Sequence, residues 1–173
     1  TELTDINCGD TDITSLDVSK NTKLEYLSCF CPELTSIDLS HNPRLKYLHC
    51  YNAPFTVLDL GSNPLIENLN ADNCGLAYVD ISGGSVIDRF TAAGNKYAIP
   101  DAPSFDLSTI RGFDVSRMSE LNGAVLSGTV LSGITGDVTY RYDCGQGKSE
   151  IFTLTRGGSH DGIAINSTNF PDN

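Results

Sequence analysis

The chain has 173 residues, 39% hydrophobic and 19% charged, which suits one domain with at most a small appendage and excludes a disordered chain. Its 11 Lys and Arg against 22 Asp and Glu give a net charge of −11, which argues strongly against nucleic-acid and anionic-membrane binding. No apolar run approaches the ~18 residues of a membrane span, and a start at Thr1 with neither Met nor signal peptide reads as a mature or trimmed chain.

The first hundred residues repeat. Leu3, Leu24, Leu45, Ile66 and Ile87 stand 21 residues apart. Ile6, Leu27, Leu48, Leu69 and Phe90 follow at fourth place in each unit, and Cys8, Cys29, Cys50, Ala71 and Ala92 at sixth. Ile13, Leu34, Phe55, Leu76 and Tyr97 form the next column. Leu16, Ile37, Leu58 and Val79, then Val18, Leu39, Leu60 and Ile81, complete six columns in four of the five units. A unit this short cannot bury its apolar side chains alone, so stacking supplies the core and the fold is a solenoid. The start of each unit alternates as a strand does, and these strands pair as a parallel sheet. The second half carries Asp-x-Ser-x-Asn, as in Asp17 to Asn21 and Asp38 to Asn42, which suits tight turns. Pro43 and Pro64 restrict the approach to the next strand, and the unit leaves no room for a long helix.

Pro100-Asp101-Ala102-Pro103 breaks the period. Residues 101–120 read as a junction with one short helix over Leu107–Arg111. The texture beyond is short β-type runs cut by Gly and Ser: Ala124–Leu126, Thr129–Leu131, Val138–Asp143 and Ile151–Thr155. The last two form a hairpin through Asp143 to Lys148, and the segment 121–156 is a small β module capping the last repeat. Residues 157–173 read as a flexible tail.

The units resemble the leucine-rich repeat family. Leu24-Glu25-Tyr26-Leu27-Ser28-Cys29 and Leu34-Thr35-Ser36-Ile37-Asp38-Leu39-Ser40 are similar to the short-repeat form of bacterial secreted and surface proteins, distantly similar to internalins. The resemblance covers residues 3–99. It implies a right-handed leucine-rich repeat solenoid with a parallel β-sheet on its concave face and little helix, followed here by the small antiparallel β module. It also implies a binding role, with no catalysis in the repeats. The chain departs from the family at ninth place, where Asn is usual and Thr11, Pro32, Ala53 and Cys74 stand, with Asn95 in the last unit alone.

Six cysteines invite a disulfide reading. Cys8, Cys29 and Cys50 share one inward column, however, with side chains pointing the same way, and read as a ladder of buried free thiols. Cys31, Cys74 and Cys144 read as the more exposed thiols. Gly145-Gln146-Gly147-Lys148-Ser149 looks like the end of a phosphate loop but lacks the earlier Gly, where Tyr142 stands, and precedes a strand, so it reads as a hairpin turn. His49 and Cys50 are neighbours on a strand and face opposite sides, which separates them as a nucleophile pair. Asp17, Asp38, Asp59 and Asp80 read as solvated turn carboxylates, with calcium the alternative.

The outward places of the strands carry the candidate site. Tyr26, Phe30, Tyr47, His49 and Tyr51 meet on two adjacent strands, with Asn68 and Asn70 on the next. Such rings serve a partner site, a sheet-stabilising pair, or packing against parts of a longer chain. Asp5, Glu25, Glu67, Asp72 and Asp88 give an acidic rim that favours a basic or neutral partner. The expectation is a non-enzymatic, secreted or cell-surface protein with no cofactor, no metal and no catalytic residue. It acts as a monomer and binds another protein. A glycan on the same rings, or a spacer role in a larger surface protein, are the alternatives.

Overall fold

The computed structural model describes residues 2–84 and 86–157. Each repeat contributes one three-residue strand: β1 Asp5–Asn7, β2 Tyr26–Ser28, β3 Tyr47–His49, β4 Asn68–Asn70 and β5 Arg89–Thr91. They form one parallel sheet in chain order, with equal unit places opposite one another, as Tyr26 against Tyr47 and Tyr47 against Asn68. The apolar columns fix that register, because a slip of one residue would turn Leu27, Leu48 and Leu69 outward. All three are buried, as are Leu24, Leu45, Leu34, Phe55 and Leu76 behind them. In the first unit Ile6, Cys8, Ile13 and Leu16 pack on the core from one side and remain partly exposed.

Two sets of turns close each unit. At eighth place Asp10, Asn52, Asn73 and Gly94 adopt φ between 53° and 70°, the left-handed region that Asp, Asn and Gly tolerate. On the far side Asp17, Asp38, Asp59 and Asp80 each accept the amide two residues on, at 2.9 Å. These are the turn carboxylates read from the sequence. The asparagines that follow do more than turn the chain. Asn42 is buried and its Nδ2 donates to the carbonyls of Val18 and Asn21 in the preceding unit, at 3.1 and 3.0 Å. Asn63 repeats this on Leu39 and Asn42, at 3.0 and 2.9 Å. An amide ladder therefore ties unit to unit opposite the sheet.

Beyond β5 come β6 Lys96–Ile99, β7 Ser104–Asp106, β8 Met118–Asn122, β9 Val125–Ser127, β10 Val130–Ser132, β11 Val138–Gly145 and β12 Lys148–Arg156. The sequence anticipates β9 to β12 and misses β6 to β8. Strand β6 is hidden inside the fifth repeat: Tyr97 keeps its column place, while the backbone pairs in parallel with β12. The order β6-β12-β11-β8 makes one sheet and β7-β10-β9 another. The helix expected over Leu107–Arg111 shrinks to a 3-10 turn, Leu107–Thr109, capped by Asp106 on the Ser108 amide, and a second 3-10 turn spans Val115–Arg117. No α-helix occurs among the described residues. Gln146 and Gly147, both at positive φ, make the expected hairpin turn.

The two parts share one core. Tyr140, Tyr142 and Phe152 are fully buried, Phe113 packs on both tyrosines, and Tyr78 of the fourth repeat joins them. The Tyr140 hydroxyl donates to the Ala77 carbonyl. The tail expected from residue 157 lies, beyond Gly157, outside the described residues.

Candidate partner-binding face

The outer face of the sheet brings the predicted aromatics together. Register sets Tyr26 beside Tyr47, with ring centroids 6.4 Å apart and tilted by 39°. His49 stands edge-on to Tyr26 at 5.6 Å. One turn along, Phe30 and Tyr51 stack at 4.6 Å with their planes 12° apart. Phe30 lies over the Gly9 backbone, where an added Cβ would fall 2.1 Å from the ring. Gly9, an outward place of the first repeat, is thus part of the site, and its role rests on the ring that the neighbouring unit places above it.

Tyr47 is 38% exposed, and Tyr26, His49, Tyr51 and Phe30 are half-buried. Ser28 shares the outward side yet is buried among these larger neighbours. Asn68 and Asn70 sit opposite Tyr47 and His49 on β4, as expected. Asn70 Oδ1 is engaged locally by the Asp72 amide at 3.2 Å. The acidic rim is partly tied down. Glu25 pairs with Lys46 at 2.8 Å, which raises the lysine pKa, and the Tyr47 hydroxyl donates to Glu67 at 3.4 Å. The Glu67 contact orients Tyr47, an arrangement that offers a ring face and a hydrogen-bond acceptor together.

The inner side carries the thiols. All six cysteines are free. Cys29 and Cys50 are fully buried and Cys8 partly so, in the expected ladder. Cys31, Cys74 and Cys144, expected to be exposed, are buried as well. Cys144 faces inward on β11 with Tyr140 and Tyr142, and for Cys31 and Cys74 the reason is the turn. Strand alternation ends at Ser28, and Cys31, which lacks the positive φ of its counterparts, turns its Sγ in to donate to the Cys8 carbonyl at 3.0 Å. Cys74 donates in the same way to Cys50 at 3.0 Å. In the last unit Asn95 Nδ2 gives the equivalent bond to Ala71 at 2.8 Å. Cysteine thus does in two of the repeats what Asn95 does in the last. Burial pushes the Cys8 thiol up to about 11 and that of Cys144 to about 12, and raises that of Cys29 as well; the hydrogen bond with Cys74, together with burial, raises that of Cys50. Cys50 faces inward while His49 packs on Tyr26, so the two do not meet. Among the described residues, no three His, Cys, Asp or Glu side chains gather as a metal site.

Stacked 21-residue units, a parallel sheet of short strands and turns in place of helices define the chain as a leucine-rich repeat solenoid with added antiparallel sheets. Among solved structures it is similar to the functional domain of InlJ from Listeria monocytogenes, which includes a cysteine ladder, with 22% identity and a TM-score of 0.51. The match covers 90% of this chain and 44% of that one, so the chain spans less than half the length of that structure. No family model matches the sequence, and no curated protein does.

Proposed function

We propose that this chain is a non-enzymatic, secreted or cell-surface protein of bacterial type that recognises another protein through the outer face of its repeat sheet. Tyr26, Phe30, Tyr47, His49 and Tyr51 form the contact, with Asn68 and Asn70 at its edge. The antiparallel sheets cap the solenoid. The observation that carries the reading is the stacked Phe30–Tyr51 pair beside the tilted Tyr26–Tyr47 pair on the outer face of the sheet, where Tyr47 is 38% exposed. Tyrosine and its neighbours bury large area at small entropic cost, which makes such clusters natural hot spots. The resemblance to surface leucine-rich repeat proteins points the same way, though fold alone does not define function. No helix among the described residues is long and apolar enough to cross a membrane.

Binding of a protein partner should be lost on Tyr47→Ala and be indifferent to free sugars. Millimolar-range affinity with competition by monosaccharides would instead mark the face as a glycan site. Tolerance of Tyr47→Ala with no specific ligand would mark a spacer.

A further inference from the structure

The amide ladder opposite the sheet has a gap. Asn21, Asn42 and Asn63 hold the same place in the first three units, and the fourth has Gly84. The Val18 carbonyl accepts both the Asn21 amide and Asn42 Nδ2, and the Leu39 carbonyl accepts both the Asn42 amide and Asn63 Nδ2. The Leu60 carbonyl accepts the Asn63 amide and, among the described residues, nothing else. One unit further, the Ile81 carbonyl regains a side-chain donor, Gln146 Nε2 from the hairpin turn, at 2.6 Å. The series is therefore complete on both sides of one missing rung.

A cavity of about 370 Å³ opens at that rung, within the range of small-molecule sites. Asn63 lines it and is 2% exposed. Its Nδ2 is spent on the preceding unit, and its backbone carbonyl, which accepts the Ile66 amide, holds the place that the Asn42 carbonyl holds for Asn63 Nδ2. The floor is aliphatic: Leu58, Ile66, Ile81 and Ile87. Asp59 stands on the third-repeat wall and Arg111 on the wall supplied by the capping part. Neither forms an ion pair among the described residues, whereas the neighbouring Asp80 is matched by Arg117 at 2.9 Å. Tyr78 fixes the Arg111 loop by donating to the Arg111 carbonyl at 2.9 Å. Its ring packs on Phe113 and Tyr142. Gln146 is a wall and not a ligand group, since its Oε1 accepts the Ile87 amide at 2.8 Å while Nε2 is spent on Ile81.

We infer that this cavity binds a small zwitterion with an aliphatic body, of the chemistry of a branched aliphatic α-amino acid. Its ammonium takes the place of the absent asparagine amide, donating to the Leu60 and Asn63 backbone carbonyls as Asn63 Nδ2 does to those of Leu39 and Asn42, beside Asp59. Its carboxylate meets Arg111, and its side chain covers the aliphatic floor. Charged hydrogen bonds in a partly enclosed site supply the selectivity, since each end of the ligand finds one unpaired opposite charge.

The test is a titration of the full chain followed through its backbone amide signals. The probes are L-leucine, L-leucinamide, N-acetyl-L-leucine and glucose. L-Leucine should shift the signals of Gly61, Gly83 and Ile87 saturably, and each blocked derivative should bind at least tenfold more weakly. Arg111→Gln should weaken L-leucine at least tenfold and leave L-leucinamide unchanged. Asp59→Asn should weaken L-leucine and leave N-acetyl-L-leucine unchanged. Both residues are exposed, so these variants keep the fold. Gly84→Asn rebuilds the rung at a place where an added Cβ comes no nearer than 3.5 Å to its neighbours, and it should abolish binding. The inference is overturned if L-leucine produces no saturable shift there (a rung filled by water alone), if glucose binds as well as L-leucine, or if Gly84→Asn binds like the parent.

Discussion

Gln146 reaches 65 residues back along the chain to the Ile81 carbonyl, 2.6 Å away, and so extends the asparagine ladder of the repeats with a side chain from the hairpin. The same side chain accepts the Ile87 amide, and the Ile81 amide donates to Cys144 beside it. Gly145 lies so close to Ser82 that a Cβ there would approach its backbone to 2.8 Å, at a φ of 94° that also demands glycine. The cap is therefore keyed to the fourth repeat by hydrogen bonds as well as by the aromatic core. Gln146→Ala removes two partly buried bonds and should lower stability by about 1–3 kcal/mol in denaturant unfolding. Amide exchange should quicken at Ile87 and stay unchanged at Leu48.

A second substitution separates the two kinds of rung. Asn95 is buried, accepts the amides of Cys74, Gly75 and Leu76 at 2.9–3.0 Å, and donates to Ala71 and Ala92 at 2.8 Å. Asn95→Ala strands three amides and should cost about 3 kcal/mol or more. Cys74→Ala removes one weak thiol bond and a small buried volume, so its cost should be well under half as large. Equal losses by urea titration would show that the thiol and amide rungs are equivalent.

The buried thiols set an alkaline limit. Their ordinary pKa is 9.0, and burial raises it to about 11 for Cys8 and about 12 for Cys144. A raised folded-state pKa means that the native state holds the proton more tightly than the unfolded chain. The associated stability is fully present below pH 9 and is lost as pH rises from about 9 towards 11 and 12. Burial of Tyr140 and Tyr142 adds loss in the same direction. The melting temperature should therefore be flat between pH 7 and about 9 and fall beyond it. In the native protein a maleimide should modify Cys8 ahead of the five buried thiols, and slowly, because so little of it is thiolate at neutral pH. Rapid labelling of Cys31 or Cys144 in folded protein would contradict this account of their burial.

The 21-residue period made the sheet legible because register follows from columns alone, and from register the meeting of Tyr26 with Tyr47 and of Phe30 with Tyr51. What escaped reading was what lies outside alternation. Cys31 and Cys74 sit where the chain has already left the strand, so counting odd and even places could not tell that their thiols turn inward. Asn42 and Asn63 read as turn residues, which they are, but their second role needs the preceding unit's carbonyls within reach. Strand β6 and the Gln146 rung depend on contacts between residues 57–65 places apart, which no local pattern records.

The face itself is measured most directly by binding. The purified chain and a Tyr26/Tyr47/Tyr51→Ala variant would be screened side by side on arrays of extracellular proteins and of glycans, with circular dichroism confirming that both are folded. The account predicts a protein binder whose affinity falls at least tenfold in the variant. Undiminished binding by the variant, or silence from the folded parent on both arrays, would contradict it.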